Sequence, residues 1–398
     1  MDHRVVVVGA GPAGALLGYL LASRGVDTLL LERQTDFARE FRGEILMPSG
    51  LRALEDAGVS LDTVSTSTPE RIEAFHNDHQ FVDLSLEDLA PPLPMAVSQP
   101  ELLEHLVALG ERTGHLELWR GAAVRGVERE SGKTRLRVKR TGEDREHELC
   151  TPFLIGADGR ASVVRKRLAP RVRRTSLPMD VVWFKMPYPD WPEARGRVVL
   201  GRGHLMIAVR SPDGLFQVAW VILKGTYGEL KSKDVATWVE EMADHADPEL
   251  ASHLRANAGA LSRPFLLDAV SDRVVGWAQP GTLLVGDAAH TMSPVGGQGL
   301  NVALRDAIVA ANALVPALRA ERGVDAAAAS VEAERAREVD LLQRLQALPP
   351  RLLLGRSLLH EWARRGVAAL VGSGRVAARD RPPARFFLDG VSPVALRV

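Results

Sequence analysis

VVVVGAGPAGALLGYLLASRGVDTLLLER, from Val5 to Arg33, is the stretch from which the remainder of the chain can be understood. Val5 to Val8 is an unbroken β-branched run, as expected of a strand covered on both faces. Gly9, Gly11 and Gly14 follow as G-x-G-x-x-G, with Pro12 and Ala13 between the last two glycines. In such a turn the first glycine permits the tight bend, the second lets a phosphate approach the backbone, and the third lets the next helix lie close to the strand. Pro12 suits the first helical turn, where a missing N–H costs nothing. Gly25 ends the predicted helix, Thr28 to Leu31 reads as a second strand, and Glu32 stands 18 residues after Gly14, where a carboxylate accepts from ribose hydroxyls. Strand, glycine turn, helix, strand and acid in this order predict a dinucleotide site with the diphosphate at the helix N-terminus. The near absence of charge from Val5 to Ala22 also suits a signal peptide or anchor, but three glycines, a proline and a weakly basic start argue against that.

Size and composition narrow the class. A chain of 398 residues accommodates two domains or one large α/β body. A charged fraction of 25% with zero formal net charge suits a soluble enzyme and gives no support to a nucleic-acid partner. Cys150 is the single cysteine, which excludes an intrachain disulfide and a cysteine-based zinc site. No metal is expected, and a reducing, cytoplasmic setting is the simplest inference. No later segment reaches 18 uncharged apolar residues, so no transmembrane helix is predicted.

Beyond Arg33 a loop, QTDFAREFRGEILMPSG, leads into the amphipathic helix LRALEDAGV, closed by Gly58. Arg42 to Glu44 in that loop reads first as a solvated charged turn, with a part in a site as the alternative. RIEAFHN and QFVDLSL are strand-like and precede the prolines Pro91, Pro92 and Pro94, an excursion away from the nucleotide fold. Pro100 to Leu109 is helical by pattern, with Gln99 just before it; Leu116–Trp119, Ala122–Glu128, Leu136–Lys139 and His147–Leu149 read as successive strands of a small sheet. Phe153 to Leu168, FLIGADGRASVVRKRL, is a strand, an Asp158-Gly159 turn and a helix opening near Ala161 or Ser162. An aspartate where a strand turns into a helix suits hydroxyl or phosphate contacts, with a plain Asp-Gly turn as the alternative. VVWFKM, RVVLG, HLMIAVR and LFQVAWVIL are strands of an inserted antiparallel sheet, followed by helices KDVATWVEEMADH and PELASHLRANAG. The nucleotide fold resumes at Thr282–Val285 and Gly286-Asp287, and Pro294 to Gly299 is a glycine-rich loop opening a long helix near Leu300 or Asn301, whose N–H groups suit a developing anion. The tail is helical, with one helix ending at Pro349-Pro350 and another from Leu352 to about Val371; GSGRVA at Gly372 to Ala377 reads as a loop.

Three separated pieces now stand together: the fingerprint, DGRASVVR, and GDAAHTMSPVGGQGLN. They resemble the three flavin motifs of the group A flavoprotein monooxygenases, the para-hydroxybenzoate hydroxylase family, whose patterns are D-G-x-x-S-x-x-R and G-D-A-A-H-x-x-x-P-x-x-G-Q-G-x-N. The resemblance spans roughly residues 1–345. It implies an α/β fold: an FAD-binding, doubly wound (Rossmann-like) domain from residues 1–70, 95–175 and 270–345, an inserted antiparallel-sheet substrate domain from 71–94 and 176–269, and a C-terminal helical segment, 346–398. It implies that Gly9, Gly11, Ala13, Gly14 and Glu32 bind the adenosine diphosphate, with Arg33 and Gln99 on the adenine and diphosphate side and Val124 touching adenine through its backbone. Arg42 and the loop residues Pro294, Gly297, Gln298, Gly299, Leu300 and Asn301 would surround the isoalloxazine, Asp287 would hold the ribityl chain, and Asp158 would serve both FAD and docking of NAD(P)H. His290 is expected to be structural.

In that family NAD(P)H reduces the flavin, O2 gives a C4a-hydroperoxide, and an aromatic substrate takes the distal oxygen. An aromatic or polycyclic small molecule is therefore the expected substrate, handled by a monomer or homodimer without integral membrane contact. The catalytic side chains are not carried over. Para-hydroxybenzoate hydroxylase uses tyrosines, whereas here only Tyr19, Tyr188 and Tyr227 exist and neither Tyr19 nor Tyr227 is suitably placed. His204 is a weak candidate base against a structural alternative, and Met206 and Trp220 read equally as pocket or core. Three other functions remain open: a halogenase, disfavoured by the lack of W-x-W-x-I-P; a reductase of the geranylgeranyl type; and a non-catalytic flavin protein sheltering a reactive intermediate.

Overall fold

A computed structural model describes residues 4–38, 44–76, 78–87, 91–130, 132–168, 171–175, 177–201, 203–372 and 384–398. At its centre the Val5–Val8 strand, every residue buried, pairs in parallel with Thr28–Leu31 on one side and Phe153–Gly156 on the other. Leu116–Trp119 extends the sheet beyond Thr28–Leu31, and Thr282–Leu284, then the antiparallel Ala278–Gln279, extend it beyond Phe153–Gly156. Continuous β-branched and leucine runs serve such a sheet because both faces are covered. The Pro12–Ala22 helix packs on it with nine of eleven residues buried, and the Gln298–Arg319 helix packs against that helix.

Register aligns the strand ends. Val8 lies opposite Leu31 and Gly156, and Gly156 opposite Leu284. Gly9, Glu32, Ala157 and Val285 therefore leave the sheet along one edge. The chain first builds outward from Val5–Val8 through Thr28–Leu31, then returns to add Phe153–Gly156 on its other flank, so a topological switch point falls at that edge.

Leu116–Trp119 corrects the expected small sheet, which contains only Ala122–Glu130, Lys133–Arg140 and Glu146–Thr151. The Gln99–Glu111 helix before Leu116 acts as a crossover, and a crossover delivers a parallel strand to the main sheet.

The second large sheet has seven strands in the order Phe265–Leu267, Met179–Met186, Phe216–Leu223, His204–Arg210, Arg195–Gly201, Arg71–His76 and His79–Ser85. It is antiparallel except where Arg195–Gly201 runs parallel to Arg71–His76. Period-two alternation divides its side chains. Val182, Phe184, Met206, Val218 and Trp220 face the helices Tyr227–Ser232, Val235–Ala243 and Pro248–Ala256. Val181, Trp183, Leu205, Ile207, Ala219 and Val221 face the other way, toward Val295 of the glycine-rich loop and toward Ala347 and Leu354.

Several helix boundaries depart from expectation. The helix predicted to start at Leu51 spans Pro48–Asp56, because Pro48 fits its first turn. The helix predicted to stop at Pro349-Pro350 is continuous from Val324 to Leu353, anchored by Gln346, whose Nε2 donates to Ser293 O (3.0 Å) and Val295 O (2.7 Å). A second tail helix spans Leu358–Gly372. The segment Val295–Arg319 is long and apolar enough to cross a bilayer, but 78% of its most apolar window is buried inside the protein.

A buried ionic cluster ties these pieces together. Asp306 accepts from His290 Nε2 (2.6 Å), Arg335 Nε (2.8 Å) and Gly286 N (3.1 Å), while Glu338 pairs with Arg335 and Arg305. Burial alone would raise the Asp306 carboxyl, yet His290 and Arg335 hold it down at about 2.

Candidate active site

The aligned strand ends bring the three glycine-bearing turns into contact. A Cβ on Gly9 would lie 2.5 Å from Ala157 O and 2.7 Å from Asp158 Cα, and one on Gly14 would lie 1.9 Å from Gly9 O. One on Gly286 would lie 3.0 Å from the Ala13 methyl. These glycines are thus required by the protein's own packing, and Gly9 additionally adopts φ +99°. Gly11 is different. Its backbone is ordinary (φ −71°), and a Cβ there would meet no protein atom within 4 Å. The space beside Gly11, at the start of a helix whose first N–H groups have no intrahelical acceptor, has the shape and polarity that can cradle a phosphate.

Glu32 closes one side of this cradle. Its carboxylate accepts from Ala10 N (2.9 Å) and Gln34 N (3.0 Å), and it is only 4% exposed. Arg33 beside it is exposed, whereas Gln99, at the start of its helix, and Val124, on the small sheet, are buried. Asp158 accepts from Ser162 Oγ, from Val163 N (2.6 Å) and from Val164 N (3.2 Å), so its carboxylate caps the Val163–Leu168 helix. Arg160 Nε donates to Asp287 (3.1 Å), and Arg165 donates to the carbonyls of Asp287 and Ala288. The two later motifs are therefore joined by the arginines of DGRASVVR.

From Pro294 the chain forms the glycine-rich loop, with Gly296 and Gly297 in the left-handed region at φ +72° and +60°. The long helix starts at Gln298, slightly earlier than predicted. Asn301 Oδ1 accepts from Met47 N (2.8 Å), and its Nδ2 donates to Ile45 O (3.1 Å) and Gly297 O (2.8 Å). Gln298 Nε2 donates to Gly296 O (2.8 Å) and Phe387 O (2.7 Å). Both side chains thus shape the loop, leaving its backbone, with Gly299 and Leu300 in the first helical turn, as the surface for a ligand. Arg42, expected here, lies outside the described residues.

Across from the loop, the seven-stranded sheet presents Trp183, Lys185 and Gln217, with Lys185 directly opposite Gln217. Glu44 stands beside them just before the Ile45–Leu46 strand. Burial raises the Glu44 carboxyl above the ordinary range, with Asp213 adding to that and Lys185 and Gln217 opposing it. Lys185 Nζ pairs with Asp213 at 2.6 Å. Of these four residues the sequence pointed only to Glu44, as the end of the Arg42 to Glu44 stretch; Trp183, Lys185 and Gln217 were not candidates, although Gln217 and Lys185 are polar insertions in otherwise apolar strands.

His204 is on the other face. Its alternation partner is Met206, under the helices, and its Nδ1 accepts from Trp220 Nε1 at 3.1 Å, which leaves the neutral ring's proton on Nε2. Burial, then His245 and Arg356, lower it to about 4. A small cavity of about 50 Å³ beside it is lined by Trp220, Leu230, Lys233, Glu241 and Arg356. Met206 and Trp220 belong to the helix-covered core and not to the loop side. Among the described residues no cluster of three or more His, Cys, Asp or Glu side chains is placed to hold a metal ion.

A doubly wound sheet with a phosphate cradle at its switch point, and a glycine-rich loop facing a second sheet, define a flavoprotein of the FAD-binding class. Residues 2–344 match the protein family described as "FAD binding domain", and the chain belongs to that family. It is 31% identical over 395 residues to 6-methylpretetramide 4-monooxygenase of Streptomyces rimosus, covering 97% of this chain and 88% of that one. It is 25% identical over 344 residues to p-hydroxybenzoate hydroxylase of Acinetobacter baylyi, covering 82% and 80%. In fold it is similar to PqsL of Pseudomonas aeruginosa, crystallised with 2-aminobenzoylacetate, at a TM-score of 0.76 and 20% identity over 91% of this chain and 99% of that one. The resemblance to the para-hydroxybenzoate hydroxylase family holds, and the chain is a flavoprotein monooxygenase.

Proposed function

We propose that this enzyme uses NAD(P)H and O2 to hydroxylate an aromatic or polycyclic small molecule. The observation that carries the cofactor part is the open space at Gly11 between two glycines the fold itself needs. Gly11 and the Pro12–Ala22 helix start would take the diphosphate, Glu32 the ribose, Arg33, Gln99 and the Val124 backbone the adenine side, and Asp287 the ribityl chain. The backbone from Pro294 to Leu300 would hold the flavin ring edge where reduced flavin carries its charge. Bound FAD supplies hydride acceptance and oxygen activation. The protein's own task is to hold a substrate beside that ring and exclude water from it.

The apolar face formed by Leu205, Ile207, Ala219, Val221 and Trp183 supports a flat substrate, and the relative acting on 6-methylpretetramide supports a polycyclic one. The arrangement of residues 71–94 and 176–269 as a substrate domain belongs to the same reading. The test is O2 uptake coupled to NAD(P)H oxidation over a panel of phenols and quinone-like polycycles. Stimulation of both by one compound class, with a hydroxylated product, is the expected result. Substrate turnover without O2 would favour a reductase, halide incorporation a halogenase, and tight binding without turnover a sheltering protein.

A further inference from the structure

The sheet face opposite the glycine-rich loop carries polar atoms that the protein leaves unpaired. Glu44 Oε2, Gln217 Oε1 and Trp183 Nε1 are each shielded from solvent and have no hydrogen-bond partner among the described residues. Buried polar atoms are nearly always paired, so three on one surface ask for a ligand. Their grouping follows from register: Trp183 lies two residues from Lys185 on the same side of its strand, Lys185 is opposite Gln217, and Gln217 lies beside the Glu44 carboxyl. Glu44 is also tied to the loop, because the next residue, Ile45, is held through its carbonyl by Asn301.

The kind of ligand follows from the atoms. Lys185 is already matched by Asp213, so the cluster does not offer an uncompensated positive charge to a carboxylate or phosphate. Two acceptors, Glu44 Oε2 and Gln217 Oε1, call for hydroxyl donors, and one donor, Trp183 Nε1, calls for a carbonyl oxygen. The neighbouring surface is apolar and broad, with Ala219, Val221 and Ile207. We propose that Glu44, Gln217 and Trp183 are specificity residues that recognise a hydroxylated aromatic ketone or quinone, taking its hydroxyl groups at Glu44 and Gln217 and its carbonyl at Trp183. This rests on the reading that the substrate lies between the loop and the sheet.

The test is a titration of the oxidised FAD-loaded enzyme, followed by perturbation of flavin absorbance, with two probes that differ only in hydroxyl groups: 4,5-dihydroxyanthraquinone-2-carboxylate and anthraquinone-2-carboxylate. The wild type should bind the dihydroxy probe more tightly. Glu44→Leu and Gln217→Leu should each weaken it roughly 5- to 150-fold while leaving the unsubstituted probe unchanged. Glu44→Gln, which keeps an acceptor, should restore most of the loss. Equal binding of both probes, binding of neither, or variants that weaken both alike would overturn the assignment. FAD content and thermal midpoint check that each variant is folded, and Gln217→Leu stands independently if Glu44→Leu is not. No turnover is involved, so an enzyme that binds as described but consumes no O2 defeats the monooxygenase reading and leaves this one standing.

Discussion

Gly11→Ala separates what the fold needs from what a ligand needs. The new Cβ meets no protein atom within 4 Å, and φ of −71° suits alanine. The cost to the protein is confined to the helix cap position, where alanine is poorer than glycine by about 1 kcal/mol. A diphosphate lying against that backbone would lose at least one charge-assisted hydrogen bond, about 1.5–3 kcal/mol, or roughly 10- to 150-fold in affinity. Gly14→Ala is the contrasting control: its Cβ would sit 1.9 Å from Gly9 O, so this variant should fail to fold. Thermal melts of the apoproteins and FAD titration followed by flavin fluorescence read both effects. A Gly11→Ala protein that folds and binds FAD as tightly as wild type would refute the cradle, and one whose apoprotein collapses would make Gly11 a packing residue.

Asp287→Ala should lower FAD affinity about 5- to 150-fold by leaving flavin hydroxyls unpaired, while urea stability changes by at most about 1 kcal/mol because the Arg160 pair is about one-third exposed; unchanged FAD affinity would remove Asp287 from the site. His204 is held neutral at about 4 against 6.5 when unfolded, so as pH falls the unfolded chain takes the proton first. Up to about 3 kcal/mol is then lost between pH 6.5 and 4. His204→Asn should flatten that slope in urea melts and leave the pH profile of turnover unmoved, since the ring faces the helices; a shifted turnover profile would restore it as a base. Asp306→Asn removes the buried carboxylate that accepts from His290 and Arg335, leaving Arg335 to its pair with Glu338, and should cost about 3–5 kcal/mol in urea unfolding, with less than 1 contradicting the cluster's role. The depressed Asp306 carboxyl also makes its stabilisation present above about pH 4 and lost as pH falls toward 2.

The nucleotide half of the site was legible because its determinants are local. From Val5 to Glu32 the turn, the helix start and the acid are set within one strand–helix–strand unit, down to Glu32 accepting from Ala10 N, although Gly9 is also packed against Ala157, just before the DGRASVVR motif. The substrate half is not local. Alternation separates Trp183 and Lys185 from Val182 and Phe184, but a period of two does not say which set meets the loop; that is settled by Val295 and the tail helix arriving from more than a hundred residues away. His204 was therefore a reasonable base by chemistry and lies on the far face by packing, while Glu44, in a loop that reads as solvated, is covered by strands far along the chain. The same non-local logic explains the helix that runs through Pro349-Pro350. Proline removes N–H donors and strains the preceding turn, a local penalty of about 3 kcal/mol. Gln346 answers it by reaching Ser293 and Val295, and Ala347 and Leu354 pack on the sheet face, so continuing the helix is what keeps the tail against the glycine-rich loop.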